Sequence, residues 1–157
     1  MKVIFLDIDG VLNHAGCAER SQSGFLGIEV SKVRRLRRII DVTGAKVVLV
    51  STWKEEWEPN LSLDQQKPDA IYMIQQLEKE NVTLLDRTYD QIADRGQGIV
   101  SWLSLHPDVE SFVILDDDTF KDYEPLLLIP HHVKTTFAYG LLDKHVTKAI
   151  KILMKES

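Results

Sequence analysis

One cysteine, Cys17, is too few for an internal disulfide, which excludes a disulfide-stapled scaffold and fits a reducing compartment. The residue reads most simply as a small apolar filler. Long apolar runs are missing as well. Nothing approaches the roughly 20 consecutive apolar residues that span a bilayer, so neither a membrane-spanning helix nor a membrane partner is expected. The apolar stretch after Met1 is too short for the core of a signal peptide and lacks a small-residue cleavage site, so a cytoplasmic location is expected. A net charge of −5 supplies no overall attraction to nucleic acid, which leaves only a local basic patch to do so. No repeat, linker or low-complexity tract interrupts the chain. Its 157 residues suit one domain over 1–157 that buries roughly two-thirds of its unfolded surface.

What is present is a regular alternation. Lys2–Asp7 is a short apolar run without helical spacing, as a strand buried on both faces requires, and Ala45–Val50, Val82–Leu85 and Ser111–Leu115 repeat the pattern. His132–Thr136 is a weaker fifth run. Between them Val30, Val33, Leu36 and Ile40 share one helical face, and Ile71, Ile74 and Leu77 share another. Thr43-Gly44 predicts the stop of the first helix and Lys67-Pro68-Asp69 the start of the second. Gly98–His106 and Asp143–Lys155 predict two more helices. The sum is an α/β three-layer sandwich around a doubly wound, mainly parallel five-stranded sheet, with ligands expected at the carboxyl ends of the strands.

Acidic residues break the strand pattern at those ends: Asp7 and Asp9 after the first strand, then Asp116, Asp117 and Asp118 after the fourth. In extended backbone, residues two apart point the same way, so Asp7 and Asp9 face one crevice while Ile8 turns into the core. Clustered carboxylates raise one another's pKa, so a cluster that stays ionised needs a cation, and an all-oxygen donor set suits Mg²⁺. One carboxylate can then attack phosphorus while another protonates the leaving oxygen and later activates water. Ser51 and Thr52 follow the second strand, where a hydroxyl and backbone amides can hold phosphate oxygens, although taken alone they read as a helix cap. Arg95-Gly96 precedes a helix, where a cation can balance phosphate; taken alone, Arg95 reads as a solvated surface charge.

The combination resembles the haloacid dehalogenase-like (HAD) hydrolase superfamily, whose motifs are Asp-x-Asp-Gly, a strand ending in Ser or Thr, a basic residue and a strand ending in paired acids. Here they are Asp7-Ile8-Asp9-Gly10-Val11-Leu12, Val47-Val48-Leu49-Val50-Ser51, Arg95, and Ile114-Leu115-Asp116-Asp117-Asp118. Arg95 departs from the usual lysine of the third motif. A nearer likeness is to a small branch of domains associated with RNA-repair proteins, matched by Ser51-Thr52-Trp53-Lys54, Arg95-Gly96 and Gly140-Leu141. The resemblance implies that Asp7 is nucleophile and metal ligand. It makes Asp9 the general acid/base, lending its backbone carbonyl to the metal, and has Ser51, with Thr52 and Arg95, bind phosphate. Asp117, with Asp116 beside it, would anchor Mg²⁺.

Neither place where larger relatives insert a cap has room for one, so no large cap domain is expected and the site should be open. An open site admits a phosphorylated nucleic-acid end or phosphoprotein, while a small molecule would gain little enclosure. The basic residues Arg34, Arg35, Arg37 and Arg38 read as a solvated helix face, Trp53 and Trp57 as a packed pair, and His131 and His132 as residues without a role. Two alternatives stay open: a catalytically silent module on the same fold, and a phosphoacceptor domain using Asp86, which leaves Asp116–Asp118 unexplained.

Overall fold

The computed structural model describes residues 1–90 and 94–155. Five strands form one all-parallel sheet: β1 Lys2–Leu6, β2 Lys46–Leu49, β3 Leu84–Arg87, β4 Ser111–Asp116 and β5 His132–Lys134. Their order across the sheet is β3-β2-β1-β4-β5. Four helices, α1 Val30–Thr43, α2 Pro68–Glu78, α3 Arg95–Ser104 and α4 Asp143–Met154, cover its faces. Among the described residues no helix is long and apolar enough to cross a membrane.

Strand alternation divides the apolar residues between two cores. Ile4, Leu6, Val47, Leu49, Val113 and Leu115 pack on the side of α1, α2 and α4. Their neighbours Val3, Phe5, Val48 and Ile114 pack on the other side against Ile99 and Trp102 of α3 and against Tyr123. Burial on both faces is why these strands read as continuous apolar runs. The chain runs outward from β1 through β2 to β3 and then returns to lay β4 on the free side of β1. The direction of winding therefore reverses between β1 and β4, and a crevice opens there at the carboxyl ends.

The predicted element boundaries hold within a few residues, and the departures have identifiable hydrogen-bond causes. Gly44 ends α1 in the left-handed conformation with its N–H on the Ile40 carbonyl, and Pro68 opens α2. β3 begins at Leu84 rather than Val82, because the Val82 N–H is spent on the Leu77 carbonyl, closing the end of α2. α3 begins at Arg95 rather than Gly98, because the Asp122 carboxylate accepts from the N–H groups of Gly96 (3.1 Å) and Gln97 (2.8 Å). That cap comes from a distant part of the chain. β5 ends at Lys134, where the Thr135 hydroxyl turns to the Gly10 carbonyl.

The four arginines of α1 are staples. Arg34 pairs with Glu80, Arg37 with Asp41 and the Asn81 carbonyl, Arg38 with Asp143, and Arg35 donates to the Leu141 carbonyl. They tie the helix to its neighbours.

Candidate active site

Asp7 directly continues β1, and its N–H still donates to the Leu115 carbonyl of β4 at 2.9 Å. Its carboxylate is thereby held at the reversal point, facing the end of β4. Ile8 is fully buried, so the chain turns away from the sheet with Asp9 at the surface side of the crevice. Gly10 adopts φ 80°, and its carbonyl accepts from the Thr135 hydroxyl at 2.6 Å. Asp116 and Asp117 arrive at the end of β4, and one carboxylate oxygen from each of Asp7, Asp116 and Asp117 lies within 4.8 Å of the others.

Arg95, the first residue of α3, reaches into this group. Its Nη1 lies 2.9 Å from Asp116 Oδ2 and 3.5 Å from Asp7 Oδ1, and its guanidinium rests on the Phe120 ring at 4.3 Å. The solvated reading of Arg95 does not hold, since the side chain is buried among acids. Asp116 is fully buried and accepts at both oxygens, from Arg95 and the Tyr123 hydroxyl (2.9 Å) at Oδ2 and from the Asp118 N–H (3.0 Å) at Oδ1. Asp117 is half-buried over Gly10, with a freer carboxylate.

Ser51 emerges beside this cluster, because the Val50 N–H donates to the Leu6 carbonyl and carries the β1–β2 ladder to the strand ends. Its buried hydroxyl accepts from the Trp53 N–H at 3.3 Å and caps the 3₁₀ turn Thr52–Glu56. Thr52 is exposed at the start of that turn. Residues 3–146 match the family described as the HAD domain in Swiss Army Knife RNA repair proteins. The chain belongs to this family. No curated protein and no solved structure gives a significant match.

The electrostatics of this HAD domain suit a site that could bind a cation. Burial first, and then the neighbouring Asp116 carboxylate, push the Asp7 carboxyl well above the ordinary range, with Arg95 opposing. Asp117 is raised too, by burial and by Asp116. Burial works against the charge of Arg95, but Asp7 and Asp116 outweigh it and hold the guanidinium protonated. Three carboxyl groups around one guanidinium make an all-oxygen donor set that could bind a hard divalent cation such as the Mg²⁺ that HAD domains typically use, and a cation there would favour their ionised forms.

Asp9 stands at the rim, outside the three-carboxylate group. Its Oδ1 accepts from Asn13 Nδ2 at 2.9 Å and from the Trp53 indole Nε1 at 3.3 Å. Trp53 and Trp57 do pack into the core, as their spacing predicts, but on and just after a 3₁₀ turn and with the Trp53 indole N–H directed to Asp9. Asp86 is engaged elsewhere: its carboxylate accepts from Trp102 Nε1 at 2.8 Å and from the Arg87 N–H.

Several buried polar residues have partners that the sequence reading did not assign. Lys54 and Asp90, each with a side chain only 2% exposed, form an ion pair at 2.8 Å, and Thr88 donates to the same Asp90 oxygen. Tyr123 is fully buried against Asp116, and His132 sits on the Asp116 carbonyl. The signals for Lys54 are its place in the Ser51-Thr52-Trp53-Lys54 segment and between two tryptophans that go inside. Cys17 is buried, as a filler residue should be.

Proposed function

We propose that this HAD domain is a Mg²⁺-dependent phosphohydrolase working through an aspartyl-phosphate on Asp7, with a phosphorylated nucleotide or nucleic-acid end as substrate. The observation that carries the reading is the meeting of Asp7, Asp116 and Asp117 at the strand ends with Arg95 buried among them. Asp7, Asp116 and Asp117, with the backbone carbonyl of Asp9, would hold the ion. When bound, Mg²⁺ would neutralise charge between the Asp7 carboxylate and the incoming phosphate.

In the first step an Asp7 oxygen bonds to phosphorus as the bond to the leaving oxygen breaks, and the Asp9 carboxyl delivers its proton to that oxygen. In the second, the Asp9 carboxylate takes a proton from water as the water oxygen attacks the same phosphorus, freeing phosphate and restoring Asp7. Ser51 and the backbone amides after β2 orient the phosphate oxygens, and Arg95 holds Asp7 in place.

Two features favour a polymer end over a small enclosed substrate. Between β1 and α1 (residues 7–29) the chain forms only turns and a single bridge between Arg20 and Leu26, and between β2 and α2 (residues 50–67) only two 3₁₀ turns, so among the described residues neither segment builds a cap domain over the crevice. The family is also named for its occurrence in RNA-repair proteins. The reading is tested by Mg²⁺-dependent phosphate release from an aryl phosphate, nucleotides, sugar phosphates and 5′- and 3′-phosphorylated oligonucleotides. Wild type should act best on an oligonucleotide end and lose activity with chelator or with Asp7→Asn. No release from any substrate by folded, Mg²⁺-binding protein would leave a silent binding module as the better account.

A further inference from the structure

Asp9 has two carboxylate oxygens, and the protein treats them differently. Oδ1 receives two N–H donors, Asn13 Nδ2 at 2.9 Å and Trp53 Nε1 at 3.3 Å. Neither donor is free to wander. Asn13 is fully buried, its Oδ1 accepts from the Gly10 N–H at 2.9 Å, and its Nδ2 also lies 3.4 Å from the Leu26 carbonyl. Trp53 is 1% exposed and wedged between Phe25, edge-on at 5.1 Å, and Tyr72, stacked at 6.3 Å. Tyr72 is itself fixed, because its hydroxyl accepts from the Ile28 N–H and donates to Glu19.

We infer that Asn13 and Trp53 are positioning residues that pin Asp9 through Oδ1, reserving Oδ2 as the oxygen that carries and returns the transferred proton. An oxygen already accepting from two N–H groups has no room for a hydrogen of its own, so the acid form of Asp9 bears its proton on Oδ2. The carboxyl is thereby fixed in rotation as well as in place, which general acid catalysis requires of its proton donor. Trp53 adds a second link. Its backbone N–H is bonded to Ser51 Oγ, so one residue sets the acid/base carboxylate and the end of β2 in register. The inference rests on the phosphohydrolase reading and extends it to two residues that touch neither phosphate nor metal.

The test is the leaving-group dependence of kcat/KM, compared between p-nitrophenyl phosphate, whose phenolate departs without a proton, and a nucleoside monophosphate, whose alkoxide needs one. Asp9→Asn sets the reference pattern and Asp7→Asn the blank. Trp53→Phe keeps the packed ring and removes the N–H. It should cost about tenfold on the nucleotide and under about threefold on the aryl phosphate, a fraction of the roughly 10²–10⁴ that general acid catalysis supplies. Asn13→Ala should follow the same pattern, with thermal unfolding establishing that it folds. Equal losses on both substrates, or none, would overturn the positioning role while leaving the phosphohydrolase intact. Wild type inactive on both and on the 5′- and 3′-phosphorylated oligonucleotides would overturn both readings. The hydrogen bond is checked independently of turnover: the Trp53 indole N–H proton resonance should shift in Asp9→Ala, and an unchanged resonance would overturn the clamp.

Discussion

A β-carbon on Gly10 would lie 2.3 Å from Asp117 Oδ2, so the glycine of the first motif makes room for the acid of the fourth. Its φ of 80° adds a second reason, since that region disfavours side chains. Gly10→Ala should therefore cost about 1–3 kcal/mol from the backbone alone, read from urea unfolding. By moving Asp117 it should also weaken Mg²⁺ binding, measured by calorimetry without substrate. Unchanged affinity would mean that Asp117 is not a ligand.

The buried Lys54–Asp90 pair yields a stability prediction. Lys54→Met strands a carboxylate that is 2% exposed and has one oxygen without a partner among the described residues. The expected loss is about 3–5 kcal/mol, with the double variant Lys54→Met/Asp90→Asn recovering most of it. Denaturant midpoints of the two single variants and the double variant close that cycle.

Arg95 and Tyr123 both address Asp116 Oδ2. Tyr123→Phe removes one hydrogen bond to a buried charged group and should destabilise by about 1.5–3 kcal/mol. Arg95→Ala removes the only cation seen against Asp7 and Asp116 among the described residues, and phosphate release should fall by about 10²–10³, as when a preorganised charge partner is lost. Steady-state kinetics with unfolding curves separates the two effects.

His145 supplies a pH dependence away from the site. Its Nδ1 accepts from the Leu142 N–H at 2.9 Å at the start of α4, which requires an unprotonated nitrogen. Burial first, then Lys144, Lys148 and Lys32, lower its pKa. The unfolded chain therefore binds the proton more readily, so the contribution is complete above the ordinary histidine value of about 6.5 and is lost as pH falls through the lower folded value. Urea midpoints of wild type should drop from pH 7.5 to 5.5 more steeply than those of His145→Gln.

Sequence and structure agree where the signal is local. Each apolar run stops at a candidate site residue, at Asp7, Ser51 and Asp116, because a strand buried on both faces admits a polar or charged side chain most readily at its end. Arg95 was placed before its helix, but its burial depends on Asp7 and Asp116, distant residues that only the sheet order brings together. The start of α3 depends likewise on Asp122. Trp53 shows a different limit. A packed tryptophan and one that packs while donating from Nε1 have the same neighbours in sequence, so the contact with Asp9 had no local signature.

In the proposed reaction Asp7 carries the phosphoryl group. The most direct measurement is acid-quench mapping of protein incubated with Mg²⁺ and a substrate bearing radiolabelled phosphate. Label is expected on the peptide containing Asp7, discharged by hydroxylamine as an acyl phosphate and absent in Asp7→Asn. Undiminished phosphate release by Asp7→Asn, or label on another residue, would contradict it.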